Sequence, residues 1–214
     1  MALSFPLLFA DFWDALGILQ TTGFRLDEAM ISNRSADGTL LQSRRGTQKW
    51  LSNVTIKDVN NREAARIEGL ISRLRGTGTF LAYDPRKANP ALDRTGSRIT
   101  GYDVQVRTIG SNNRSLSLKG LRPGYDLSVG DFITVIWGDS NRLLLRLTED
   151  ITAGITGNTD EFEVQPFLPA GIAVNEEVRI SRAHGLFKIT PGSLSMPMSV
   201  GNRTGGVSFA IEEV

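Results

Sequence analysis

The sequence contains no cysteine and a single histidine, His184. Without thiols the chain can form no disulfide, no thiolate nucleophile and no Cys-based metal centre. A zinc site would need its remaining ligands from carboxylates, an uncommon donor set. A Ser-His-Asp triad would have to be built on His184, and no GxSxG-type turn is there to present a serine. Long apolar runs are missing too, since nothing approaches the roughly 18 residues that a membrane-crossing helix requires. The opening MALSFPLLFADFWDALGIL lacks a positively charged head, and Asp11 and Asp14 interrupt its apolar stretch, so it does not read as a secretory signal. Neither sign of charge is in excess: 24 basic residues against 23 acidic ones leave a net charge of +1. That balance demands neither nucleic acid nor a membrane surface as partner.

What is present is turn chemistry and alternation. The 214 residues can bury a real core, as one large domain or two small ones, and 22 glycines favour a turn-rich β protein over a helical bundle. Phe9, Phe12, Trp13 and Leu16 fall at helical spacing, which predicts an N-terminal arm or short amphipathic helix packed on its own domain or on a partner. Asp37-Gly38 predicts a hairpin turn between two strands. Arg34, Arg44, Arg45 and Lys49 give that hairpin local positive charge, which reads most simply as a solvated face. KWLSNVTIKDV then alternates, with Trp50, Ser52, Val54, Ile56 and Asp58 on one side and Trp50 as the core anchor.

The clearest local signal is a helix at about residues 61–75. Asn60 can cap it and Glu63 can complete a capping box. Ile67, Leu70, Ile71 and Leu74 make one apolar stripe, Arg62, Arg66, Arg73 and Arg75 keep the other faces wet, and Gly76 stands where a left-handed C-cap belongs. A single stripe predicts one helix laid on a sheet. A strand, Thr79 to Tyr83, follows. Asp84-Pro85, Asn89-Pro90 and Thr95-Gly96 then punctuate a loop whose acids, Asp84 and Asp93, lack the spacing of an EF-hand.

From Ile99 to Ile180 short strands recur with no helix between them, divided by turns at Asn112-Asn113, Pro123-Gly124, Asp139-Ser140, Gly157-Asn158 and Pro169-Ala170-Gly171. This texture predicts a small barrel or sandwich. In DFITVIW the set Phe132, Thr134, Ile136 and the set Ile133, Val135, Trp137 are both apolar enough to be covered. Tyr102, Tyr125 and Trp137 could stack on sugar rings, though such rings are commonest in cores. Asp160, Glu161, Glu163, Glu176 and Glu177 supply acids, but Glu161 and Glu163 share one face of a strand, as on any wet strand. Gly205-Gly206 turns the chain into a closing strand, Val207 to Ile211, expected to rejoin the first sheet.

Read together and in order, FPLLFADFWDAL, KWLSNVTI, NNREAARIEGLISRLRGTGTFLAYDPR, LKGLRPGYDLSVGDFITVIWG, EFEVQPFLPAGIAVNEEVRIS and GGVSFAIEEV give the chain a layout that resembles the distal tail proteins of long-tailed, siphovirus-type bacteriophages, especially those of marine alphaproteobacteria. The resemblance implies a mainly β fold: a tail-tube-like β-sandwich or split barrel with one flanking α-helix, plus an inserted small β module. Residues 1–102 and 185–214 would form the ring domain, and 103–184 an inserted peripheral β-barrel or sandwich. It further implies a virion protein, made in the host cytoplasm. Six copies would form a ring at the tail tip, between the tube protein above and the hub, baseplate or fibre proteins below, with a lumen for DNA. Such a subunit needs no enzyme chemistry, so no catalytic, cofactor-binding or metal residue is expected, and no cofactor or membrane insertion. Ring subunits do need sheet edges and long loops that overlap neighbours, and Leu26 to Trp50 is such a hairpin. The alternatives are a carbohydrate-binding module for host surfaces and another minor tail or tail-terminator protein of the same fold.

Overall fold

The computed structural model describes residues 4–214 apart from 18, 45, 58, 75–77, 139, 140, 197, 198 and 202. In chain order the first elements are β1 (Leu19–Thr21), β2 (Arg25–Asp27), β3 (Met30–Arg34), β4 (Leu40–Arg44), β5 (Lys49–Ile56), β6 (Val59–Asn60), α1 (Asn61–Ser72) and β7 (Phe80–Tyr83). Next come β8 (Gln105–Ile109), β9 (Ser115–Lys119), β10 (Asp126–Leu127), β11 (Phe132–Trp137), β12 (Asn141–Leu147), β13 (Ile151–Thr152), β14 (Phe162–Gln165) and β15 (Glu177–Arg179). The chain closes with β16 (His184–Ile189), β17 (Ser199–Val200), β18 (Arg203–Thr204) and β19 (Val207–Glu213). The fold is mainly β, with one α-helix among the described residues and a closed barrel between β7 and β16.

Strand β5 is the spine of the larger sheet. β1 and β2 both pair with one side of it and β19 with the other, and the order continues through β16 to β7. The alternation of β5 comes out as the sequence predicts: Trp50, Ser52, Val54 and Ile56 are buried while Asn53 is exposed. Asp58, assigned to the same face, lies outside the described residues. β19 returns to this sheet and points Val207, Phe209, Ile211 and Glu213 inward.

Against the inward face lies α1. Asn60 Oδ1 accepts the Glu63 amide at 2.8 Å, so the cap forms as expected, while the Glu63 carboxylate pairs with Arg66 at 2.5 Å. Ile67, Leu70, Ile71 and Leu74 are all buried, and four such side chains contribute about 6–12 kcal/mol before the entropy of ordering them. The helix ends earlier than 75. Arg73 and Leu74 form a closing turn onto Leu70 and Ile71, and Arg75 and the Gly76 cap lie outside the described residues.

At the N-terminus the expected amphipathic helix is instead two 3-10 turns, Phe9–Asp11 and Asp14–Leu16, broken at Phe12. Phe12 and Trp13 lie in the turn between the two. The broken path buries both, with Leu16, against Phe80, whose ring centroid lies 4.6 Å from Phe12 and 5.9 Å from Trp13.

The barrel closes in the order β11-β12-β14-β9-β8-β15. Its core holds Val106, Leu116, Leu118, Ile133, Val135, Leu145, Leu147, Phe162 and Val178. Strands β11 and β12 are covered on both faces. Phe132 and Leu144 belong to the core shared with the larger sheet, whereas Ile133, Val135 and Leu145 fill the barrel. Thr134 ties the layers polar-to-polar: its hydroxyl donates to the His184 carbonyl at 2.8 Å and accepts the His184 amide at 2.6 Å. This is why both faces of FITVIW read as apolar. Barrel closure also requires Gly120, which has φ +79° and would place a Cβ 2.0 Å from the Asp103 carbonyl oxygen. The Asp139-Ser140 turn between β11 and β12 lies outside the described residues.

Candidate assembly surface

Between β2 and β5 the chain leaves the sheet. Ala29, in the left-handed region at φ 47°, turns it outward, and its amide is held by Asp27 Oδ1 at 3.1 Å. β3 and β4 then pair only with each other among the described residues. Their turn is built as the Asp37-Gly38 signal predicts. Gly38 has φ +86°, and Asp37 accepts the Thr39 amide at 3.0 Å, which holds the Asp37 carboxyl below its ordinary range.

Every side chain from Met30 to Ser43 is exposed. Residues directly opposite across an antiparallel pair share a face. One face therefore carries Ile31 and Leu41, diagonal neighbours through the Ile31–Ser43 and Asn33–Leu41 pairs, and the other carries Met30 and Leu40. These four are 42–59% exposed. A two-stranded ribbon with no third strand and no packed face is marginal in water by itself. Of the basic residues expected here, Arg34 is exposed. Lys49 sits 3.8 Å from Glu212, and the Arg44 side chain and Arg45 lie outside the described residues.

The same segment forms the open end of the sheet. β1 and β2 stand outermost beyond β5, interrupted where Phe24 turns into the core, and no further strand covers them among the described residues. At the opposite end Leu7 covers β7, donating to Thr79 at 2.9 Å and accepting from Leu81 at 3.0 Å. One edge is thus protected and the other is available for pairing. Away from the sheet, α1 exposes Arg62, Arg66 and Arg73.

The residues with chemical potential have structural partners. His184 is buried, its Nδ1 is 2.9 Å from the Arg182 carbonyl oxygen, the Phe9 ring lies edge-on at 5.0 Å, and burial lowers its pKa. Asp84 holds Arg86 at 3.0 Å, Asp93 accepts the Arg98 amide, and Asp131 accepts the amides of Ala91 and Ser128. Glu161 and Glu163 stand on the exposed face of the β14 segment, Glu161 accepting the Ser115 hydroxyl at 2.5 Å. Among the described residues, no group of three or more His, Cys, Asp or Glu is placed to hold a metal ion.

The aromatic candidates differ in exposure. Tyr125 is 1% exposed, and its hydroxyl donates to Asp93 at 3.2 Å, so burial and that carboxylate raise its pKa. The possibility that Tyr125 stacks on a sugar is thereby excluded: the ring belongs to the barrel core. Trp137 is half-buried and Tyr102 is exposed. Sequence reasoning missed Glu213, buried at the seam of sheet and barrel, although the inward phase of β19 would have found it. Comparison of the chain with protein-family models finds none that matches, and a search of curated proteins also finds no match.

Proposed function

We propose that this chain is a non-catalytic structural subunit of a phage tail tip, a distal tail protein whose copies form a six-membered ring between tail tube and hub. The β3–β4 hairpin carries the reading. It exposes apolar side chains on both faces, pairs with no other strand among the described residues and springs from the uncovered end of the sheet. A neighbouring copy would supply the missing cover. Such head-to-tail contacts close into rings when the rotation per subunit allows it. The engaged polar groups around His184, Asp84 and Asp93 support a role without catalysis. The near-neutral charge suits a lumen that must let DNA pass without holding it.

Each of the four exposed apolar hairpin residues stands to gain roughly 1 kcal/mol on burial, so an arm contributes about 4 kcal/mol to each contact. The double variant Ile31→Asp, Leu41→Asp removes about half of that and adds two charges to the interface. Sedimentation velocity should show wild type as a concentration-dependent oligomer and the variant as a folded monomer. An oligomer unaffected by the double variant would refute the hairpin as its contact.

A further inference from the structure

Glu213 lies at the seam between sheet and barrel and is 6% exposed. The phase of β19 turns it inward after Phe209 and Ile211, while Glu212 faces out toward Lys49 at 3.8 Å. Its Oε2 accepts the Trp50 amide at 3.2 Å. The Trp50 indole Nε1–H reaches across the seam to the Leu144 carbonyl oxygen at 2.7 Å. β14 pairs with β12 only at Arg146 and Leu147, so at Leu144 these two side chains stand where a neighbouring strand would. The main chain of Leu144 also helps to hold the Glu213 carboxyl, but Oε1 is buried with no hydrogen-bond partner of good geometry. Gly185 leaves the room for it: a Cβ there would lie 3.1 Å from Oε1.

We propose that Trp50 and Glu213 form a proton-dependent clasp on the edge of β12, closed when Glu213 is neutral and loosened when it ionises. The charged and titratable groups around it do not neutralise a carboxylate. On β5, Lys49 is drawn toward Glu212, itself a like charge on β19. On β12, Arg146 lies over the Trp50 ring at 5.3 Å. On β16, burial keeps His184 uncharged near neutrality, and Lys188 is paired in register with Glu212 rather than Glu213. Burial accordingly raises the Glu213 carboxyl from 4.5 to about 7, with Trp50, Leu144 and Lys49 offsetting only part of it. A carboxyl raised in the closed state favours closure fully below about 4.5, and that contribution is lost as pH rises through about 7.

Hydrogen exchange of the Trp50 amide and indole in the full chain, corrected for intrinsic rates, tests this at about pH 5.5 and about pH 8. With the carboxyl at about 7 closed and 4.5 open, opening becomes roughly 30-fold easier at the higher pH. The clasp requires that loss of protection at Trp50 while Leu116 and Leu118 inside the barrel stay protected, and requires Glu213→Gln to abolish the pH dependence. Equal loss at all these sites, no loss at Trp50, or pH dependence retained in Glu213→Gln would each overturn it. Should Glu213→Gln fail to fold, the side-chain carboxyl carbon shift of Glu213 in wild type still decides: a midpoint near 4.5 overturns the proposal and one near 7 supports it.

Discussion

Replacing Trp50 with phenylalanine is the most informative single perturbation of the fold. Trp50 is fully buried, its indole N–H is the donor for Leu144 O at 2.7 Å, and its ring meets Phe132 at 5.3 Å. Phenylalanine keeps the aromatic contact but removes the donor. A buried carbonyl left without its partner costs about 1–3 kcal/mol. The smaller ring leaves a void worth on the order of 1 kcal/mol more. Trp50→Phe should therefore lower stability by about 2–4 kcal/mol. Urea titration followed by far-UV circular dichroism reads this as a lower midpoint. Trp137→Phe is the matched control, because Trp137 is half-buried at the far end of β11 and should cost about 1 kcal/mol or less. If the two variants are equally stable, or Trp50→Phe stays within about 0.5 kcal/mol of wild type, the hydrogen bond across the seam is not holding the layers together.

Three further outcomes are expected. Leu70→Asp would bury an unpaired charge beneath α1 and should prevent soluble expression, whereas Arg66→Glu, which loses only its exposed pair with Glu63, should leave the urea midpoint nearly unchanged and weaken assembly in sedimentation experiments. Asn60→Ala removes the acceptor for the Glu63 amide and should cost about 1 kcal/mol by the same titration. Glu213 carries a carboxyl raised from 4.5 to about 7, so its contribution to stability is complete below about 4.5 and lost as pH rises through about 7, a difference of roughly 3 kcal/mol. Glu213→Gln should accordingly be more stable than wild type at pH 8 and lose that advantage in acid, as thermal melts across this range would show.

Much of the fold is legible wherever one face of an element is buried and the other wet. The β5 alternation and the single stripe of α1 follow from one-sided burial, the Asn60 cap follows from the unpaired amides of a helix start, and each is present in the structure. The glycine-rich turn texture of the middle segment likewise announces its strands, although the closing order of the barrel does not follow from it, because strand pairing depends on contacts distant in sequence. The N-terminal turns were not legible: Phe9, Phe12, Trp13 and Leu16 have the spacing of one helical face, and the packing of Phe12 and Trp13 on Phe80 that accompanies the break involves a residue distant in sequence. Tyr125 shows the same limit, since a tyrosine in a loop-like stretch carries no mark of the buried Asp93 it bonds. The hairpin was readable as a hairpin with a solvated face, and it is exposed; whether a neighbour covers it was not readable, because a polar ribbon on solvent and an arm awaiting a neighbour have the same composition. Glu213 was hidden by its neighbour Glu212: two consecutive acids read as a solvated end, and only the phase of β19 separates them.

The central claim is that the exposed hairpin is an arm between copies of this chain in a ring. Electron microscopy of the purified 214-residue chain, sized in parallel by native mass spectrometry, tests it most directly. The expected result is a closed ring of about 140 kDa, six copies of a 23.4 kDa chain, with residues 30–44 of each copy lying against the next. A protein that stays monomeric at all concentrations, or a ring whose hairpins project into solvent, would contradict it.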